Sequence, residues 1–151
     1  DTITGGALAD TMTGGAGVNT YVYGTNTTTT GAATGDVATG VVDVITDFEN
    51  TGSATTWDLI DLQAAGTSST FDTATAGTAS YAAALSAANT ALDTHLFTVQ
   101  AVGSATSWTA YLFTDSDGTG DATGAIQLGT TGQFGTAALA LASISAAQIT
   151  A

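Results

Sequence analysis

Apolar residues occur along this chain in short runs, separated by turns rich in Gly, Thr and Ala, a pattern that predicts β-strands. The most apolar run is Val41–Ile45, and residues 96–99, 110–113 and 125–128 form three further predicted strands. Only residues 80–92 place apolar side chains at helical spacing, with Ser80 as a suitable N-cap. The pattern therefore predicts a mainly β protein with one short helix.

A repeat of nine residues opens the chain. Residues 5–13 read GGALADTMT, residues 14–22 read GGAGVNTYV, and DTIT at 1–4 matches the end of the same unit. Each Gly pair can supply the positive φ angles of a tight turn, and the short strand that follows points its middle side chain inward. Nine residues then make half a turn of a parallel solenoid and eighteen a full turn, so we expect Asp1 to lie over Asn19.

The charged side chains of this chain are all acidic at pH 7. It has 13 Asp and Glu residues, no Lys, no Arg and no Cys, which gives a formal charge of −13. Nucleic-acid binding is excluded because no cationic side chain can neutralise phosphates, and insertion into a membrane is not expected because no apolar run is long enough. A hydrophobic content of 44% argues against disorder. Because the carboxylates of a compact acidic chain repel one another, we expect bound cations to reduce this repulsion in the folded state.

The opening repeat resembles GGxGxDxUx (U apolar), the calcium-binding nonapeptide of the repeats-in-toxin proteins. The second unit has Asn19 where the motif has Asp, and the first has Leu8 where it has Gly; the matching residues are Gly5, Gly6, Asp10, Gly14, Gly15 and Gly17. Ca²⁺ is also the ion that oxygen donors alone select. A Gly-rich turn without a metal is the alternative interpretation.

Later segments extend the resemblance to about residue 128. Residues 43–49 with 57–62 resemble the D-x-I-x-D-F … D-x-I-D-L segment that closes such β-rolls, and residues 109–118 with 125–128 resemble the ending of secreted repeats-in-toxin and surface-layer proteins. The resemblance implies an extracellular, calcium-loaded C-terminal module. It also implies export through a type I channel by an uncleaved C-terminal signal.

These observations predict a single calcium-binding domain over residues 1–151. Its expected fold is a short parallel β-roll or solenoid that continues into a β-sandwich-like domain with one short helix. The expected parts are the nonapeptide repeats at 1–24, roll-closing strands at 25–78, the helix at 79–93 and C-terminal strands at 94–151. Residues 145–149 could form a last helical turn or a strand.

The expected calcium ligands lie in the repeats, in the segment after them and in a late acidic loop. They are Asp1, Gly5, Gly6, Asp10, Gly14, Gly15, Gly17, Asn19, Asp47, Asp58, Asp115, Asp117 and Asp121. The late loop starts like an EF-hand, but Ile126 stands where the bidentate Glu would be, so an EF-hand is rejected. An acidic hairpin tip without a metal is equally compatible with this loop.

No catalytic motif accompanies the repeats. His95 is the only His, and neither H-E-x-x-H nor G-x-S-x-G occurs, so we do not expect an enzyme. We expect a calcium-stabilised extracellular protein on a bacterial cell surface that assembles with itself into a surface layer or filament, with cell-surface polysaccharide as a second candidate partner. The alternatives are a non-catalytic C-terminal secretion module of a larger hydrolase or adhesin, and a carbohydrate-binding domain.

Overall fold

The computed structural model describes residues 1–6, 8–23, 35–49, 57–62, 71–104, 106–130 and 144–150. As predicted, these residues form a mainly β structure with one α-helix. The described ranges contain eleven strands in two principal sheets, which are called sheet 1 and sheet 2 below. Most of residues 25–40, the start of the segment expected to form roll-closing strands, lies outside the described residues.

Sheet 1 is entirely parallel. Its order is β1, β3, β6, β11, and these strands are Thr2–Ile3, Thr20–Val22, Leu59–Asp61 and Ile149–Thr150. Thr2 pairs with Thr20 and Ile3 with Tyr21, so neighbouring residues of β1 and β3 are eighteen apart in the chain. The last segment combines both expected forms, because a 3-10 turn at Ala146–Gln148 leads directly into β11.

Sheet 2 is mixed, with the order β2, β5, β10, β9, β8, β7. These strands are Thr11–Met12, Val41–Ile45, Gly124–Thr130, Ser107–Thr114, Phe97–Ser104 and Phe71–Thr78, and β4 (Gly35–Asp36) pairs antiparallel with β5. The three strands predicted after the helix are confirmed as β8, β9 and β10. Strand β7, within the segment expected to close the roll, instead pairs with β8 at the edge opposite β2.

The two sheets bury one shared core. Sheet 1 contributes Tyr21 and Ile60, and sheet 2 contributes Ile45, Leu112 and Ile126, all fully buried in one cluster. Every second residue of the short strands points inward, which is the period-2 pattern of a sheet with one buried face. The core thus holds β1, β2, β3 and β5 in place and fixes the turns between them.

Helix α1 (Tyr81–Leu92) begins where the sequence predicts. The Ser80 hydroxyl caps it by accepting a hydrogen bond from the Ala83 N–H at 3.2 Å. Its buried side chains are Ala84, Ala88 and Leu92, which pack with Val42 and Phe113 of sheet 2. No helix in the described part of the chain is long and apolar enough to cross a membrane.

Candidate cation-binding turns

Two Gly-rich turns connect the first three strands and share one backbone design. The first turn (5–10) joins β1 to β2, and the second turn (14–19) joins β2 to β3. Positive φ angles recur at equivalent positions: 109° at Gly6 and 79° at Gly15, then 78° at Leu8 and 98° at Gly17. The turns differ in their last residue, which is Asp10 in the first and Asn19 in the second.

The first turn places Asp10 beside Asp43 of the neighbouring strand. The Asp10 N–H donates to Asp43 Oδ1 at 2.7 Å, and Asp43 is only 1% exposed. Asp10 Oδ2 is buried and has no hydrogen-bond donor within the part of the chain that the structure describes. A carboxylate oxygen buried in this way is costly unless an external group compensates it. The first turn therefore contains a buried carboxylate oxygen that no described donor compensates.

The surroundings of Asp43 make the first turn electrostatically unfavourable on its own. Burial raises the pKa of Asp43 to about 6; the Asp10 N–H opposes this shift and the Asp10 carboxylate adds to it. The buried Tyr23 hydroxyl lacks a hydrogen-bond partner among the described residues, and burial together with Asp43 and Asp10 raises the pKa of Tyr23. A bound cation would stabilise the charged form of Asp43.

The polar groups of the second turn find hydrogen-bond partners within the protein. The Asn19 N–H donates to Asp58 Oδ1 at 2.8 Å, as the Asp10 N–H does to Asp43. Asp58 is fully buried, and burial raises its pKa, although N–H groups of Glu49 and Asn19 partly offset this. The Asn19 side chain adds hydrogen bonds to Asp58 and to two turn carbonyls. The described atoms thus leave no side-chain acceptor of this turn unpartnered.

Asp47 supports the second turn from the next layer. Its carboxylate accepts the N–H groups of Gly14 and Gly15 at 2.9 and 2.7 Å, and the Tyr21 hydroxyl at 3.0 Å. Burial alone would raise the pKa of Asp47, but these three hydrogen bonds outweigh it and lower the pKa. Asp47 is therefore a charged anchor for the turn. Its predicted role as a calcium ligand stays a prediction.

The late acidic loop lies apart from the two turns, between β9 and β10. Asp115 is buried: its Oδ1 accepts the N–H groups of Asp117 and Gly118, and its Oδ2 accepts that of Gly120. Asp117 and Asp121 are exposed, and hydrogen bonds from Thr119 lower the pKa of Asp117. Asp115 orders the loop through backbone amides. Calcium binding at Asp115, Asp117 and Asp121 stays a prediction.

His95 contacts the end of the helix. Its Nδ1 lies 3.0 Å from the Ala91 carbonyl oxygen and 3.0 Å from Thr94 Oγ1.

The described residues contain no group of three or more His, Cys, Asp or Glu side chains arranged to hold a metal. A cation in the first turn would therefore need backbone carbonyls beside its two carboxylates, and Ca²⁺ accepts such ligands readily.

Asp43 is the residue that the candidate ligand set missed, and the sequence carries a signal for it. The chain reads DTIT at 1–4, DTMT at 10–13 and DVIT at 43–46, so Asp43 occupies the position of Asp10 although no Gly pair precedes it. In the structure Thr11 pairs with Val44, which places Asp10 beside Asp43.

Asp1 lies above the second turn, where its amino group donates to the Val18 carbonyl and to Asn19 Oδ1.

Leu8 is the strained residue of the first turn. Its φ is 78° and its side chain is 76% exposed. The strain of the left-handed conformation is therefore not offset by burial of the side chain. That conformation costs a non-glycine residue about 1–2 kcal/mol. We expect Leu8→Gly to raise the free energy of unfolding by about 1 kcal/mol in urea titrations. The reverse change, Gly17→Leu, should lower it, and a destabilised Leu8→Gly variant would contradict the argument.

The raised pKa of Asp43 predicts an unusual pH dependence in a chelator. Because the folded-state value of about 6 lies above the ordinary 3.8, the folded protein binds this proton more tightly than the unfolded chain. Stability should increase as the pH falls from 7 through 6 towards 4. Thermal melts in this window should show the rise in the wild type and a flatter profile in Asp43→Asn. Equal slopes in the two proteins would assign the effect to other carboxylates.

Among known proteins, the chain matches no protein-family model and no curated protein sequence. The resemblance to the repeats-in-toxin nonapeptide therefore rests on the residues of the two turns, with Asp10 matching the motif and Asn19 departing from it. The function that this resemblance implies is accordingly a proposal.

Proposed function

We propose that this chain is a calcium-stabilised extracellular structural protein that assembles with itself into a filament or surface layer. The observation that carries the proposal is Asp10 Oδ2, which is buried next to Asp43 without a donor among the described residues. A chain with neither Lys nor Arg has no cationic side chain to place there. A cation from solution would compensate this oxygen, and a hard divalent cation suits carboxylate and carbonyl oxygens.

The first turn fits a calcium ion by the chemistry of its donors. Asp10 would hold the ion with its unpartnered oxygen, Asp43 would contribute a second negative charge, and turn carbonyls would complete the oxygen shell. The ion would supply two positive charges beside Asp43, whose charged form is disfavoured by burial. Extracellular calcium sites commonly bind at about 10⁻⁴ to 10⁻³ M, which suits a protein that works outside the cell.

The strand order supports the finer part of the proposed fold, a short parallel β-roll that continues into a sandwich-like domain. Strands β1, β2 and β3 alternate between the two sheets in chain order, and β5 and β6 continue the alternation. β1 pairs with β3, and β2 with β5, in parallel. A roll of this kind stacks its turns, so an ion in one turn can bridge to the carboxylate of the next layer.

The edges of sheet 1 support self-assembly. Within the described residues β1 and β11 each pair on one side only, and all four strands run parallel. Adding β11 of one copy to β1 of the next would extend the sheet with unchanged polarity. Such head-to-tail contacts are heterologous and build open polymers unless their rotation closes. Calcium would reduce the repulsion between two copies of charge −13.

Electron microscopy of the purified protein, in millimolar calcium and in excess chelator, tests the proposed function. Extended filaments or sheets are expected in calcium, and their shortening or disappearance in chelator. A folded monomer at every calcium and protein concentration would contradict assembly and favour the secretion-module alternative. Cell-surface polysaccharide, the second candidate partner, would be supported if polymers formed only after its addition.

A further inference from the structure

The Asn19 side chain occupies a position surrounded by oxygen atoms. Asn19 is 1% exposed, and its Nδ2 donates to the carbonyl oxygens of Gly15 at 3.2 Å and Gly17 at 3.0 Å. The same nitrogen lies 3.1 Å from Asp58 Oδ1, which belongs to a fully buried carboxylate. Two carbonyls and one carboxylate are the kind of oxygen donors that bind Ca²⁺. In this turn they converge on an amide nitrogen.

The hydrogen-bond network fixes which way the Asn19 amide points. Its Oδ1 lies 3.2 Å from the amino group of Asp1, a donor, whereas all three neighbours of Nδ2 are acceptors. Rotating the amide by 180° would place an oxygen against three oxygens and a nitrogen against a donor. The amide N–H groups therefore supply the positive partial charge at the centre of the second turn.

We propose that the Asn19 amide takes the place of a cation in the second turn, and that Asp or Asn at the last position of each turn decides whether the turn binds calcium. The part that concerns the first turn rests on the proposed function. The part that concerns the second turn does not, because it depends only on the oxygen atoms around Asn19.

The last residue of each turn has the same backbone hydrogen bond and the same side-chain position. The N–H of the last turn residue donates to the next layer at 2.7 Å in the first turn and at 2.8 Å in the second. A Cβ added to Gly5 would lie 3.0 Å from Asp10 Oδ2, and one added to Gly14 would lie 2.5 Å from Asn19 Nδ2. Both side chains thus fold back over the first Gly of their turn. The first places an unpartnered acceptor there and the second places a donor.

Asn19→Asp is therefore expected to create a calcium site. The new carboxylate would face Asp58 and the carbonyls of Gly15 and Gly17, and no N–H group of residue 19's side chain would remain to separate them. Without a cation these oxygens repel each other in a buried place. With calcium they form a set of oxygen ligands carrying two negative charges, as in the proposed first turn.

The test combines calcium titration by calorimetry with thermal melts in chelator, on the whole chain. Asn19→Asp should bind one more calcium ion than the wild type, melt lower in chelator and recover in calcium. The reciprocal change, Asp10→Asn, should lose calcium binding and melt at or above the wild-type temperature in chelator. Ala82→Asp adds the same charge at an exposed position in the first helical turn of α1 and should bind no additional ion.

Each outcome decides the inference. An Asn19→Asp protein that is folded but binds no additional calcium overturns it. A wild type that binds no calcium beside an Asn19→Asp variant that does would keep the inference for the second turn and refute the proposed function. If Asn19→Asp does not fold even in calcium, Asp10→Asn decides: a lower melting temperature than wild type in chelator overturns the inference, and an equal or higher one supports it.

Discussion

Removal of calcium is expected to lower the melting temperature of this protein by about 5–10 °C, the shift that corresponds to roughly 2–3 kcal/mol in a domain of this size. A ligand that binds only the folded state at a hundredfold excess over its Kd contributes about 2.7 kcal/mol per site. The physical reason is the buried Asp10 Oδ2 atom, which has no donor among the described residues, together with the buried Asp43 beside Asp10. Circular dichroism melts in calcium and in chelator measure the shift.

Two alanine variants locate the effect. Asp10→Ala should abolish most of the response to calcium, because it removes the unpartnered carboxylate. Asp72→Ala should retain the response, since Asp72 lies on β7, at the edge of sheet 2 opposite β2. Identical melting temperatures of the wild type with and without calcium would mean that the first turn does not stabilise the fold by binding calcium.

Blocking the edge of β1 is expected to stop polymer growth while leaving the monomer folded. The Thr20 N–H donates to the Asp1 carbonyl at 2.7 Å, and Thr2 pairs with Thr20, so the peptide groups of Thr2 itself point away from β3. Thr2→Pro removes the outward N–H and so the donor for an added strand. Sedimentation velocity in millimolar calcium should show the wild type as large particles and Thr2→Pro as a monomer.

Thr2→Val is the matched control for this experiment. It keeps the N–H and a β-branched side chain at an exposed position, so it should polymerise like the wild type. Polymers of normal length in Thr2→Pro, with an unchanged melting temperature, would show that β1 is not the growing edge.

The strands and the helix could be predicted because their signals are local. The run at Val41–Ile45 is apolar and β-branched, and Ser80 precedes an Ala-rich segment with helical spacing, so each element is specified by neighbouring residues. Partnership between strands was harder to predict. Strand β7 is polar and pairs in parallel with β8 across helix α1, a contact that no local pattern contains.

The candidate site was predicted in part for a similar reason. Asp10 and the Gly pairs belong to a visible repeat, but the partner of Asp10 is 33 residues away along the chain. Asp43 joins the site through strand pairing, and only the shared D-x-apolar-Thr pattern indicates it in the sequence. The role of Asn19 could not be read from spacing, because it depends on the three oxygen atoms that surround one nitrogen.

A crystal structure of the protein grown in calcium, with terbium substituted to provide an anomalous signal, tests the central claim most directly. We expect an anomalous peak in the first turn, bound by the Asp10 carboxylate, and no peak at the Asn19 amide of the second turn. The proposal would be contradicted if the Asp10 and Asp43 side chains were well ordered at a saturating ion concentration but the map beside Asp10 Oδ2 showed only water or no density.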